Sequence, residues 1–235
     1  MKYRLISSPE IEKLDKSKIL VLIPMGSIES HGKHLPLGTD SIIVEHFAKK
    51  VEEKFSDKLM LTPTINYSFN LINRSYPGTL SVDSEIFAHY LEAVIISFFK
   101  SGFSNFFIFS SHGANEIPIK LAINNILGNY CYSTDKVFPK IAYKTWWNLA
   151  KLKSRHAEKL ETELMMIIKP DFVDMDSVKD CKPDVLWYYF PSRKEYYPNS
   201  YGVNGYPSKS NLESAEIVYD KILNSLIEYI DSIKL

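Results

Sequence analysis

ILVLIPMGSIESHGKHLPLGTD, from Ile19 to Asp40, joins an apolar run to a dense set of potential metal ligands, and its reading decides the fold. Ile19 to Met25 is aliphatic with no alternation, the pattern of a strand buried on both faces, and Pro24 and Gly26 punctuate its end. The residues beyond Gly26 form a loop at the carboxyl end of a buried strand, where ligands bind in open α/β sheets. That loop carries Glu29, His31, His34 and Asp40, with Gly32, Pro36 and Gly38 to bend the backbone. Glu29 and His31 address neighbouring points from one extended segment, and Asp40 returns to them after the turns. Oxygen and imidazole donors with no cysteine nearby suit zinc, manganese, iron or nickel. Any one of these histidines is more simply a locally hydrogen-bonded loop residue. The four groups together are costly at a strand end unless something pairs them.

Composition narrows the rest. A chain of 235 residues with 45% apolar content fits one large domain, residues 1–235, with a sizeable core. Lys and Arg number 28, as do Asp and Glu, so the electrostatic footprint of a nucleic-acid binder is missing and a small-molecule partner fits better. Cys131 and Cys181 are far too few for a secreted disulfide scaffold, and no signal peptide opens the sequence. The expected compartment is the cytoplasm. No apolar run approaches the roughly 20 residues of a membrane span.

Along the chain, Ile11 and Leu14 mark a short amphipathic helix before the first strand. Positions 43, 44, 47, 48, 51 and 55 form one helical stripe. Leu59 to Asn66 reads as a second strand, followed by a loop with Arg74, Tyr76, Pro77, Gly78 and Thr79. A helix is expected from Asp83 to Lys100, with cap candidates between Ser81 and Ser84. Asn105 to Ser110 is a third buried strand, and it too runs into a polar constellation, Ser111 to Asn115, ahead of a helix from Glu116 to Leu127. If the strands are parallel neighbours, the loops carrying Glu29, His31 and His112 converge at one edge. Lys136 to Tyr143 is a fourth strand candidate, and Trp146 and Trp147 beyond it either wall a pocket or pack. His156 and Glu161 fall in a helix expected from Ser154 to Ile168, about 140° apart around its axis; on the residues alone both read as solvated charges. Residues 170 to 210 are a long excursion of the kind that forms lids or subunit contacts. Ser210 to Leu235 closes the chain with an amphipathic helix.

These blocks resemble the creatininase family of metal-dependent amidohydrolases. GSIESHGKHLPLGTD is similar to its G-S-x-E-Q-H-G-x-H-L-P-L-x-T-D, YPGTLS to F-P-G-T-x-S, SSHGAN to N-G-H-G-G-N, HAEKLETE to H-A-G-x-x-E-T-S, and GVNGYPSKSN to the G-V-x-G-x-P segment. The resemblance implies a three-layer α/β/α sandwich around a mainly parallel sheet, assembled as a homo-oligomer, a hexamer built from dimers. It implies two divalent metal ions, zinc, manganese or iron, with Glu29 and His112 on one, His31 on the other and Asp40 bridging. Creatininase itself has a glutamate ligand two residues after the third-block histidine, and Ala114 stands there in this chain. Family members with a small residue at that place resemble a variant in which the fourth block supplies the carboxylate, here Glu161. Ser30, Ser110, Ser111, Glu158 and Glu163 also depart from the family pattern.

The expected chemistry is hydrolysis of an amide, cyclic amide or formamide C–N bond by a hydroxide generated between two ions. His156 is the candidate proton shuttle, with Glu161 as ligand or acid-base group. Gly113, Asn115, Trp146 and Trp147 are the candidate substrate contacts. Gly113 stands where creatininase has its creatinine-binding aromatic, which argues against creatinine. The rivals are a metal hydrolase acting on a peptide bond or a ring C–C bond, and a metal-stabilised oligomeric scaffold without turnover.

Overall fold

The computed structural model describes residues 1–130, 138–182, 194, 197 and 199–235. Its sheet has four strands, β1 (Leu20–Met25), β2 (Leu59–Leu61), β3 (Asn105–Ser110) and β4 (Lys140–Thr145). They run in the order β2-β1-β3-β4, and every pairing is parallel. The helices are α1 (Ser8–Glu12), α2 (Thr39–Lys54), α3 (Ser84–Lys100), α4 (Glu116–Tyr130), α5 (Trp146–Leu149), α6 (Lys159–Ile168) and α7 (Leu212–Ser232).

Both faces of β1 and β3 are buried, as their unbroken apolar runs require. Leu20 and Leu22 of β1, with Phe107 and Phe109 of β3, pack against α2, α6 and α7 through Phe47, Leu164 and Ile222. Val21 and Ile23, with Phe106 and Ile108, pack against α3 and α4 through Phe87, Leu91 and Ile119. The result is a three-layer α/β/α sandwich. No helix among the described residues is long and apolar enough to cross a membrane.

The chain leaves β1 through α2 to reach β2 on one side, then returns through α3 to β3 on the other. This reversal opens a crevice at the carboxyl ends of β1 and β3. The register pairs Met25 with Ser110, and the Ser111 N–H donates to the Met25 carbonyl at 3.0 Å. The two polar loops expected to converge therefore start side by side.

Several boundaries differ from the expectation. β2 ends at Leu61, where Pro24 of β1 has no N–H to continue the ladder; one further bridge joins Ile65 to Met25. α4 runs on to Tyr130. β4 extends to Thr145, whose side chain caps α5, while positions 136 and 137 of the expected strand lie outside the described residues. Positions 183–193, 195, 196 and 198 of the excursion from 170 to 210 lie outside them as well. α3 is capped by Asp83, which accepts from the N–H groups of Glu85 and Ile86.

The correction that matters most concerns α6, which starts at Lys159 and not at Ser154. Ala157 adopts φ +49°, a left-handed conformation no helix interior accepts, and Glu158 caps the helix by accepting from the Leu160 N–H. His156 is thus a loop residue that the turn at Ala157 aims separately from the helix.

Gly26 sets the approach of α2 to the end of β1. A Cβ there would meet the Ser41 side chain and lie 2.5 Å from the Ser41 Cα. Gly26→Ala is expected to destabilise the fold by about 1–3 kcal/mol, the usual cost of overpacking. Urea unfolding measures it, and an unchanged midpoint would show that α2 can shift at no cost.

Candidate metal centre

Glu29, His31 and Asp40 come from the loop after β1 and the first turn of α2, His112 from the end of β3, and Glu161 from the first turn of α6. All are buried, with Glu29 and His31 at 0% exposure. His156 joins them from the loop before α6, largely buried. Their donor atoms fall into three groups, Glu29 with Asp40 and His112, His31 with Asp40 and Glu161, and Glu29 with His31 and His156, each within 4.8 Å internally.

Backbone carbonyls orient each imidazole. A carbonyl oxygen only accepts, so the ring nitrogen facing it carries the hydrogen and the other nitrogen, when the ring is neutral, presents a lone pair. His112 Nε2 donates to the Phe69 carbonyl at 3.0 Å, which turns Nδ1 toward Glu29 Oε1 at 2.7 Å and Asp40 Oδ2 at 3.1 Å. His31 Nδ1 donates to the Glu29 carbonyl at 3.0 Å, leaving Nε2 facing Asp40 Oδ1 at 3.6 Å and Glu161 Oε2 at 3.7 Å. His156 Nε2 donates to the Ser30 carbonyl at 2.7 Å, and its Nδ1 looks at Glu29 Oε1 from 3.6 Å. In these neutral tautomers lone pairs converge from nitrogen and oxygen alike. Glu29 Oε1, Asp40 Oδ2 and His31 Nε2 are buried without a hydrogen-bond partner. Orphaned polar atoms aimed at shared points are what a cation would satisfy. The donor set therefore fits divalent metal ions.

Three carboxylates lie here, and among the described residues no lysine or arginine pairs with any of them. Burial pushes the Glu29 carboxyl up, but His156, His112 and His31 outweigh it and hold Glu29 well below the ordinary range. Burial alone would lower His31, yet Asp40, Glu161 and Glu29 carry it to about 10. His112 is likewise raised, against its burial, by Glu29 and Asp40. Glu161 rises to about 8, chiefly through burial, with His31 lowering it and Asp40 raising it. His156 goes the other way, to about 4, because burial and the neighbouring His31 outweigh the pull of Glu29 and Asp40. His156 is a neutral base at pH 7.

The other sequence candidates are placed differently. His34 stays outside all three groups: its Nε2 lies 3.0 Å from the Thr162 hydroxyl, which in turn donates to the Glu158 carbonyl. Trp146, a candidate pocket wall, is fully buried in the core beside β3 and donates from Nε1 to Ser111 Oγ at 3.1 Å. Trp147 packs edge-on against it. Asn115, a candidate substrate contact, is fully buried and donates to the Gly26 carbonyl at 3.0 Å, so it ties the two strand-end loops together. Gly113 alone of these is exposed, and a Cβ there would meet nothing within 4 Å.

Sequence reading missed the loop from Ser68 to Asn73. Asn70 and Asn73 both donate to Glu29 Oε2, and the Phe69 carbonyl holds His112. Two asparagines in a polar loop carry no pattern that would have marked them. Thr79, in the YPGTLS block, accepts from the Ser30 N–H at 2.9 Å and so holds the ligand loop in place.

Residues 4–230 match the family model described as Creatininase: Creatinine amidohydrolase. The 3-dehydro-scyllo-inosose hydrolase of Thermotoga maritima is 27% identical over 198 residues, 77% of this chain; the chain spans 60% of that relative's length. The creatinine amidohydrolase of Pseudomonas putida is 24% identical over 184 residues, 70% of each chain. The solved structure called Creatininase Mn superposes with a TM-score of 0.87 at 20% identity, covering 97% of this chain and 96% of the other, a likeness of fold.

The electrostatics give a test that needs no substrate. With His31 raised to about 10 and His112 raised well above its ordinary value, both are protonated in the metal-free protein at pH 7. Ligation requires neutral rings and an ionised carboxylate, and Glu161, raised to about 8, also holds its proton at pH 7, so cation binding is expected to release on the order of two to three protons and to tighten as pH rises from 6 to 9. Calorimetric titration with zinc in buffers of different ionisation heat measures the release. Binding without proton release would show that none of the three is a ligand.

Proposed function

Since the chain belongs to the creatininase family, we propose that it is a metal-dependent amidohydrolase that cleaves a C–N bond, of an amide, cyclic amide or formamide, in a small molecule. The observation carrying this reading is Asp40, whose Oδ2 faces His112 and whose Oδ1 faces His31. In this reading Glu29, Asp40 and His112 hold one ion, and His31, Asp40 and Glu161 hold the second. Zinc, manganese and iron all suit these donors. Glu161 supplies the carboxylate that the small side chain of Ala114 lacks.

Bound ions of this kind polarise a carbonyl and acidify water. The protein's own part is orientation and proton movement. His156 is neutral, and its Nε2 is anchored on the Ser30 carbonyl, so Nδ1 is free to accept a proton from the attacking water. The same Nδ1 then gives that proton to the leaving nitrogen as the C–N bond breaks. Gly202, at φ +97°, lets the backbone pass close to His156: a Cβ there would lie 3.1 Å from His156 Nε2. Open space at Gly113 leaves room beside His112 that an aromatic side chain would fill, which argues for a substrate other than creatinine.

A homo-oligomer is part of this reading. Ile86 and Tyr90 on α3, with Ile117 and Leu121 on α4, are exposed apolar side chains that a second copy would cover.

Two variants separate the roles. His156→Ala is expected to keep its metal content and lose on the order of 10²- to 10⁴-fold in turnover, the usual cost of a missing proton carrier. Glu161→Ala is expected to lose one of the two ions. Metal analysis, with turnover on a panel of cyclic ureides, formamides and short peptides, reads both. Metal loss in His156→Ala would make His156 a ligand, and full occupancy in Glu161→Ala would make Glu161 an acid-base group.

A further inference from the structure

The loop between β2 and α3 reaches the metal centre with groups that cannot themselves be strong ligands. Asn70 and Asn73 are 1% and 4% exposed, and each donates a side-chain N–H to Glu29 Oε2, Asn73 from 2.7 Å. Both donors fall on one carboxylate oxygen. Oε1, the other, meets neither amide and faces His112 Nδ1 and His156 Nδ1.

The amide orientation of Asn70 is set by its surroundings. Its Oδ1 accepts from the Asn73 backbone N–H at 3.1 Å, which leaves only Nδ2 to meet Glu29. The Asn70 N–H in turn donates to Ser81 Oγ at 3.0 Å. One residue earlier, the Phe69 carbonyl fixes the tautomer of His112, and Ser68 Oγ donates to the Gly26 carbonyl at 2.9 Å. A single turn therefore orients two of the three groups around one candidate ion.

We infer that Asn70 and Asn73 are positioning residues that hold Glu29 in one-oxygen coordination, with Oε2 saturated and Oε1 presented to the ion shared with Asp40 and His112. Amides suit this task because they are neutral. A lysine or arginine would satisfy Oε2 equally well but would place a positive charge beside the cation, whereas an amide leaves the full charge of Glu29 to attract it. The inference rests on the two-ion reading above and adds the groups that make its two sites unequal in support.

Cobalt(II) titration of the metal-free protein tests it, followed by calorimetry and by the visible absorption of the bound ion. Asn70→Leu and Asn73→Leu remove the donor while keeping the branched shape of the side chain. Each is expected to weaken one ion about 10- to 100-fold and change its absorption band while leaving the other ion as in the wild type. Asn73→Ser keeps a hydroxyl donor, is expected to fall between Asn73→Leu and wild type, and carries the test if the leucine variants do not fold. Wild-type affinity for both ions in the variants would overturn the inference and leave the two-ion reading standing. Equal weakening of both ions would also overturn it, since that is what loss of general loop structure does. A wild-type protein that takes up no cobalt would overturn the two-ion reading and this inference together.

Discussion

Glu29, Asp40 and Glu161 are three carboxylates in a space from which water is largely excluded, and no lysine or arginine among the described residues reaches them. Removing even one such charge from water costs several kcal/mol unless positive charge or hydrogen bonds offset it. Much of the local architecture is a response to this constraint. His31 and His112 are drawn toward the protonated state. Carbonyls of Phe69, Glu29 and Ser30 turn the three imidazoles so that each directs its second nitrogen at a carboxylate oxygen. Protons can balance such a cluster and so can divalent cations. A divalent cation would satisfy Glu29 Oε1, Asp40 Oδ2 and His31 Nε2, which in the neutral tautomers have no hydrogen-bond partner.

The sheet delivers the cluster. Parallel pairing of β1 with β3 ends on Met25 and Ser110, so the Glu29 loop and His112 leave the sheet from adjacent points. Gly26 lets the start of α2 close against the strand end, where Ser41 Oγ donates to the Ser27 carbonyl at 3.0 Å. Asp40, one residue earlier, is thereby held between the two halves. The asparagine loop then closes the side of Glu29 that faces away from the cluster. His156 stands apart in being lowered, by its burial and the neighbouring His31, so it is the imidazole of the three that stays neutral at pH 7.

The strands at the centre were legible because a parallel strand buried on both faces leaves an unbroken apolar run, and Asn105 to Ser110 matches its observed limits. The convergence of Glu29, His31 and His112 came from placing both loops at strand ends. The helix start expected at Ser154 was too early: the apolar side begins only at Leu160, and the chain turns at Ala157, whose N–H donates to Glu161 Oε2 at 2.6 Å. Trp146 was ambiguous for a different reason. An aromatic residue after a strand reads the same whether it lines a pocket or fills the core, and only the fold shows Ser111 beneath its indole. Asn70 and Asn73 were invisible, since the reason for two amides there lies 41 and 44 positions away in Glu29.

Anomalous diffraction from crystals of the zinc-loaded protein tests the central claim most directly. Two peaks about 3.5 to 4 Å apart are expected, as in two-metal hydrolases, one between Glu29 and His112, the other between His31 and Glu161, with Asp40 touching both. A single peak, or two peaks of which Asp40 touches only one, would contradict the account.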